Sequence, residues 1–319
     1  MCYSAMVRQS VKKMGLKYEA RVQLDAFEEV FENRLKGSGA KIPRAMELSF
    51  QTPENPQEKR IWKLIEAWEE MQTLETEQEL FVLKKRLADA ERKLKVKETK
   101  TALNELRIAG DKIEKMKAKL KSLGSESQTE FARIFPQIYS PLITFENGER
   151  TIRPFRYLLR PRGQGSDFDR DFNGSYNARR DRLQEVFWWK SVYGRNHGVM
   201  VVSKFWENVK VEDYEQRMLK QSEQSRNLVL EFKPKGLSEM LVPCIFDSNT
   251  SDEFAFHSFA LITDEPNPEV KAAGHDRTPV IMKDAYLDLW LQTSKRKLEE
   301  FELVFKDKQP TYFEHSIAV

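Results

Sequence analysis

Between Pro56 and Gly124 the chain contains no proline or glycine other than Gly110, and Glu, Lys, Leu and Ala dominate it. A segment of that length without backbone punctuation has one economical conformation, long α-helix. Leu80, Leu83, Leu87, Ala90 and Leu94 follow 3-4 spacing, and Ala102, Leu106, Ala109, Ile113, Met116, Leu120 and Leu123 repeat it one residue out of phase. A phase break near Val96–Lys100 predicts a helical hairpin, because a continuous rod would demand a return path that the following residues are too short to supply. The organisation expected is a core of residues 1–55 and 125–319 interrupted by an α-helical coiled-coil arm over 56–124, whose helices either associate with a second copy or a protein partner or pack on their own domain.

The flanks read differently. An amphipathic helix is predicted over Val22–Leu35, and Lys36–Gly39 with Pro43, Pro53 and Pro56 reads as loop. After the arm, strands are predicted at Thr151–Leu159, Val199–Val202, Leu228–Phe232, Leu241–Phe246 and Phe254–Thr263. Helices are predicted between them at Arg179–Trp189, Pro268–Ala273 and Ala285–Gln292, with Asn267 as N-cap. This is an α+β chain with a β-rich core and flanking helices. With 40% apolar residues, 20 Phe and 6 Trp it can bury a real core.

Two cysteines in 319 residues, Cys2 and Cys244, argue against a disulfide framework. The early residues lack a signal-peptide apolar run and no segment is long enough to span a bilayer, so the expected location is cytoplasmic, in a bacterial or virus-infected bacterial cell, without a membrane partner. The net charge is only +3, so nucleic-acid affinity must come from local clusters. Arg153, Arg156, Arg160, Arg162, Arg170, Arg180 and Arg182 form one such cluster, and Tyr157, Trp188 and Trp189 are candidate stacking platforms for single-stranded DNA. His197, His257 and Cys244 show no metal-ligand spacing, and no P-loop or dinucleotide fingerprint occurs, so no cofactor or metal is expected.

Cys2 follows the initiator methionine, and removal of Met1 would leave it as the N-terminus. Its α-amine (pKa about 7.7–8.0) and thiol (about 8.5) then form a 1,2-aminothiol, which closes on an aldehyde to a thiazolidine. Four stretches accompany it in order: Met1-Cys2; Phe172-Asn-Gly-Ser-Tyr-Asn177-Ala178-Arg179; Phe205-Trp206-Glu207; and Ser258–Thr263 through Asn267-Pro268 to His275-Asp276-Arg277-Thr278-Pro279-Val280. Together they resemble the SRAP family, the SOS-response-associated peptidases that include abasic-site-processing proteins. Asn147-Gly148 through Arg156 to Pro161 and Asp288-Leu-Trp-Leu291 extend the resemblance, which covers residues 1 to about 10 and about 131–292. The chain departs from the family where Arg156-Tyr157-Leu158-Leu159 stands for Arg-Trp-Gly-Leu and where Tyr3 replaces the glycine after Met-Cys.

The resemblance implies recognition of abasic sites in single-stranded DNA and a covalent thiazolidine crosslink through Cys2, with AP-lyase, self-reversal and autoprocessing activity. It implies that Asn177 holds Cys2, Glu207 orients and deprotonates its amine, and His275 shuttles a proton to the sugar oxygen. Arg179 and Arg277 would meet the flanking phosphates, with Arg156, Arg160, Arg162 and Trp188 beyond them. Two alternatives stay open from the sequence. One is an N-terminal-nucleophile glutamine amidohydrolase using Cys2, of which Asn147-Gly148-Glu149 is a faint echo; the other is a non-catalytic coiled-coil DNA-binding adaptor.

Overall fold

A computed structural model describes residues 4–123, 131–220, 223–250 and 253–318. Twelve strands join in one sheet: β1 Ser4–Arg8, β2 Arg21–Val22, β3 Phe131–Ile134, β4 Tyr139–Glu146, β5 Glu149–Tyr157, β6 Asn177–Arg179, β7 His197–Lys210, β8 Asn227–Pro234, β9 Met240–Asn249, β10 Phe256–Asp264, β11 Thr278–Pro279 and β12 Phe313–Ile317. The helices of the N-terminal part are α1 Val11–Tyr18, α2 Leu24–Leu35, α3 Arg44–Glu47, α4 Pro56–Val96 and α5 Lys100–Leu123. The fold is α+β.

Strand pairing runs β10–β5–β4–β7, and β9 pairs with both β7 and β10, closing a five-stranded ring. Side chains of a strand alternate between faces, so each ring strand serves two cores. Met200 and Val202 join Phe155, Tyr157, Cys244, Phe259 and Leu261 in one cluster. Their neighbours Val199 and Val201 join Ile152, Ile245, Ala260 and Ile262 beneath the helices in the other. That second core includes Phe27 and Phe31 of α2, and Trp290, whose indole N–H donates to the Gly198 carbonyl at 3.0 Å.

The hairpin forms as the phase break predicts, with its turn at residues 97–99. Asn55 caps α4 by accepting from the Glu58 N–H at 2.9 Å, with Pro56 in its first turn. Thr99 accepts from the Ala102 N–H at 3.2 Å at the head of α5. Leu83 and Ala90 of α4 and Ala102, Ala109 and Ile113 of α5 are buried. Arg86–Glu105 (2.7 Å) and Lys119–Gln72 (2.7 Å) tie the antiparallel helices together.

The base of α4 is part of the second core rather than a detached arm. Ile61 and Ile65 are fully buried in it. Arg34, itself buried, donates to Glu47 at 2.5 Å and lays its guanidinium 3.9 Å from the Trp68 ring centre. Arg44 bridges Glu47 and Glu69. The sequence boundary at residue 56 therefore falls inside a packed unit, and we propose that the arm proper starts near residue 70.

Three local expectations change. Arg179–Trp189 is not one helix: Arg179 ends β6, a 3-10 turn covers Arg180–Arg182, and a short helix spans Phe187–Val192. Strands β1, β2, β3, β4, β6, β11 and β12 also lie outside the five expected strand segments, and Val22 belongs to β2 rather than to the helix, which starts at Leu24. Asn147-Gly148 is the turn between β4 and β5, with φ of 53° and 88°, as a two-residue hairpin with right-handed strand twist requires. That structural duty accounts for the amidohydrolase-like echo.

Candidate functional site

Strand β1 lies between β3 and β7 with Ser4 opposite Trp206 and Ala5 opposite Phe205. The described chain thus begins beside Glu207, the next residue of β7. Cys2 lies outside the described residues. Arg133 of β3 donates to the Ser4 hydroxyl at 3.0 Å and stacks its guanidinium 4.0 Å from the Trp206 ring centre, fixing the indole where β1 enters the sheet.

Glu207 is fully buried, and its Oε2 lies 3.4 Å from His275 Nε2. His275 arrives from the helix Pro268–Ala272 through Gly274 at φ 89°, where a Cβ would approach the Asp213 backbone to 2.8 Å. Only glycine can make that turn at that distance. Asn267 occupies the N-cap position, but its side chain instead donates to the Thr311 carbonyl at 2.7 Å. His275 Nδ1 is 2.9 Å from the Arg277 carbonyl oxygen and also accepts from the Arg277 backbone N–H at 3.3 Å, so the Arg277 backbone fixes the orientation of the ring. Nε2 faces the Glu207 carboxyl.

A chain of contacts continues outward. Arg277, buried, reaches Glu265 at 3.3 Å and Asp181 at 3.6 Å. Asp181 also accepts two hydrogen bonds from half-exposed Arg179, at 3.1 and 2.8 Å. Arg179 shares a strand face with Asn177 two residues earlier, and the buried Tyr157 hydroxyl donates to Asn177 Oδ1 at 3.4 Å. Asn177 therefore sits on a strand, registered opposite Leu261, and not at a helix start. Asp181, Glu265 and Arg133 escaped sequence reasoning, because acidic and basic surface residues carry no signal of their partners.

The remaining candidates lie elsewhere. Arg156 and Arg160 both donate to Asp169, at 2.7 and 3.0 Å among other contacts, and both guanidiniums lie over Phe256. Burial acts to raise the Asp169 pKa, but these hydrogen bonds outweigh it and hold its carboxyl below the usual range. Arg162 is exposed, and its N–H donates to Asp247 at 2.9 Å. Trp188 packs with Phe168, Phe172 and Trp189, while Tyr157 is fully buried and cannot stack on a base. Leu158 adopts φ 130°, the region that favours glycine. A non-glycine residue in that region carries a backbone strain of about 1–3 kcal/mol.

His197 and His275 are buried and His257 half-buried, and desolvation pushes the pKa of His275 and His257 down to about 4 and that of His197 to about 3. A folded pKa below the unfolded value of about 6.5 stabilises the fold above that pH and is lost as pH falls toward the folded value. Unfolding free energy is expected to fall between about pH 6.5 and 4, by up to about 1.4 kcal/mol per pH unit for each histidine, and the thermal midpoint with it. Calorimetry across that range checks this, and a flat profile would contradict the neutral burial of these rings.

Among the described residues no group of three His, Cys, Asp or Glu side chains gathers to hold a metal, and no helix is long and apolar enough to cross a membrane. The model of the SOS response associated peptidase (SRAP) family matches residues 96–316, starting inside the hairpin and ending near the last strand. No curated protein matches the chain. Similar solved structures include a protein from Bacteroides thetaiotaomicron, 15% identical, covering 63% of this chain and 82% of its own, with a TM-score of 0.47. A protein from Bordetella bronchiseptica is 14% identical over 59% of this chain and 87% of its own, with a TM-score of 0.44. A phage-related protein from the same organism is 14% identical over 58% of this chain and 80% of its own, also with a TM-score of 0.44.

Proposed function

This chain belongs to the SOS response associated peptidase family, and we propose that it captures abasic sites in single-stranded DNA by a covalent bond to Cys2. The observation that carries this reading is the buried Glu207–His275 pair beside the residue where β1 enters the sheet. Only Tyr3 lies between Cys2 and Ser4, and two Cα–Cα steps span at most about 7 Å. Such a tether keeps the aminothiol within reach of the pair.

The ring-opened abasic sugar presents an aldehyde. The Cys2 amine adds to its carbon, and loss of water gives an imine. The thiol then adds across that C=N bond, its sulfur going to carbon and its proton to nitrogen, which closes the thiazolidine. His275 Nε2 first relays the hemiacetal hydroxyl proton to the ring oxygen as the sugar opens, and Glu207 then takes the proton released by the attacking amine and returns it to the carbinolamine hydroxyl that leaves as water. The contacts of Nδ1 with the Arg277 carbonyl and N–H hold the imidazole in the orientation this relay needs. Asn177 positions the Cys2 backbone. Half-exposed Arg179 is the phosphate ligand nearest to it in the chain, with Arg277 behind it across Asp181. The family's peptidase label corresponds in this reading to removal of Met1, and lyase and self-reversal activity to the same imine reached from either side.

Glu207→Gln keeps the shape and removes the proton acceptor. DNA binding, read by fluorescence anisotropy, should persist, while single-turnover adduct formation on an abasic oligonucleotide should slow by about 10²-fold or more. Unchanged crosslinking by this variant would remove Glu207 from the chemistry. Release of ammonia from glutamine by the wild type would favour amidohydrolase chemistry instead.

A further inference from the structure

We propose that the helical hairpin is a self-association surface, on which a second copy of this chain docks antiparallel along the outer face of α4. The inner face of α4, at Thr76, Leu83 and Ala90, is buried against α5. Half a turn away lie Ala67, Leu74, Phe81 and Ala88, spaced by seven and all exposed. Phe81 is 73% exposed and Leu74 57%. Scattered apolar residues on a surface need no explanation, but four at heptad spacing, on the side of α4 away from α5, form a seam.

The charge pattern selects the occupant. Residues 66–79 carry Glu66, Glu69, Glu70, Glu75, Glu77 and Glu79 and no Lys or Arg. Residues 84–97 carry seven Lys or Arg against Asp89 and Glu91. A second α4 laid parallel would set acid on acid and base on base. Laid antiparallel about a two-fold axis near Gln78–Phe81, each acidic half meets a basic half and the two Phe81 rings lie close to the axis. This surface is complementary to itself, the condition for a closed two-fold dimer. Since Ile61, Ile65 and Trp68 fix the base of α4 to the core, the pairing would hold the two starts of α4 about 70 Å apart, at opposite ends of the paired hairpins. The inference is independent of the chemistry proposed for Glu207 and His275.

Sedimentation equilibrium of the full-length protein should show a concentration-dependent species of twice the 37.5 kDa chain mass, weakened by added salt. Phe81→Glu, at an exposed position that should not disturb the fold, should raise the dissociation constant by about 30-fold or more. Spin labels on Val96→Cys at the hairpin tip, in a Cys2→Ser background, should lie about 50 Å apart in the antiparallel dimer, against about 10–20 Å in a parallel one. A protein that stays monomeric at every concentration overturns the proposal. So does a dimer indifferent to Phe81→Glu, or a short distance between tips.

Discussion

Cys2→Ala is expected to abolish the denaturation-resistant adduct with an oligonucleotide bearing one abasic site, lowering its rate by more than about 10³-fold. The size of the effect follows from the chemistry. An imine formed by any amine hydrolyses, whereas a thiol on the adjacent carbon closes a five-membered ring with an effective molarity that intermolecular thiols do not approach. Cys2→Ser keeps the amine and should yield an adduct only when borohydride traps the imine. Inserting alanine between Met1 and Cys2 keeps the thiol and displaces the α-amine, and should be as damaging as Cys2→Ala. Intact mass of the wild type should lack one methionine, and the adduct should appear without reductant on denaturing gels. Equal crosslinking by wild type and Cys2→Ala would reject the mechanism, while full activity in the insertion variant would reject the role of the aminothiol specifically.

The second large effect concerns where the hairpin can be cut. Removing residues 57–123 takes Ile61 and Ile65 from the core and strips Trp68 from the guanidinium of buried Arg34. Large-to-small core changes cost about 2–5 kcal/mol each, so losing both isoleucines alone approaches the whole stability of about 5–15 kcal/mol of an ordinary domain. This deletion should fail to fold. Cutting instead between Gln72 and Lys119, which already touch across the hairpin at 2.7 Å, leaves the packed base intact. Replacing residues 73–118 by a linker of about four residues should therefore give a protein that unfolds cooperatively and still forms the abasic-site adduct. Calorimetry and the crosslinking gel read both outcomes. A shortened protein that folds but no longer forms the adduct would give the distal arm a part in the DNA site. A 57–123 deletion with the wild-type melting temperature would show that the base of α4 is dispensable.

What could be read in advance followed the range of the signal. The hairpin was legible because helix is local: a run without Gly or Pro and a 3-4 repeat with one phase break specify two helices and the turn between them. Apolar strands such as Val199–Val202 were legible for the same reason, although β7 extends to Lys210 because β1 and β8 pair with its second half. Strand β4 went unrecognised because Pro141 and its nearly continuous burial hide the alternation that marks a one-sided strand. Over Arg179–Trp189 the sequence suggests one helix, but parallel pairing of β6 with β10 holds Arg179 in the sheet, and the regular helix starts only at Phe187.

For the candidate site, residue types and order along the chain were enough to nominate Glu207 and His275, but not the 3.4 Å between them, which joins residues 68 positions apart. The sequence alone determined the hairpin and the α+β class, since each rests on local periodicity. Only the tertiary structure decided which arginines face Asp169 and which face Asp181, that Tyr157 is buried against Asn177, and that the hairpin base is core. Charge pairing and burial are relations between residues distant in the chain, and a side chain does not encode its partner until folding brings the two together.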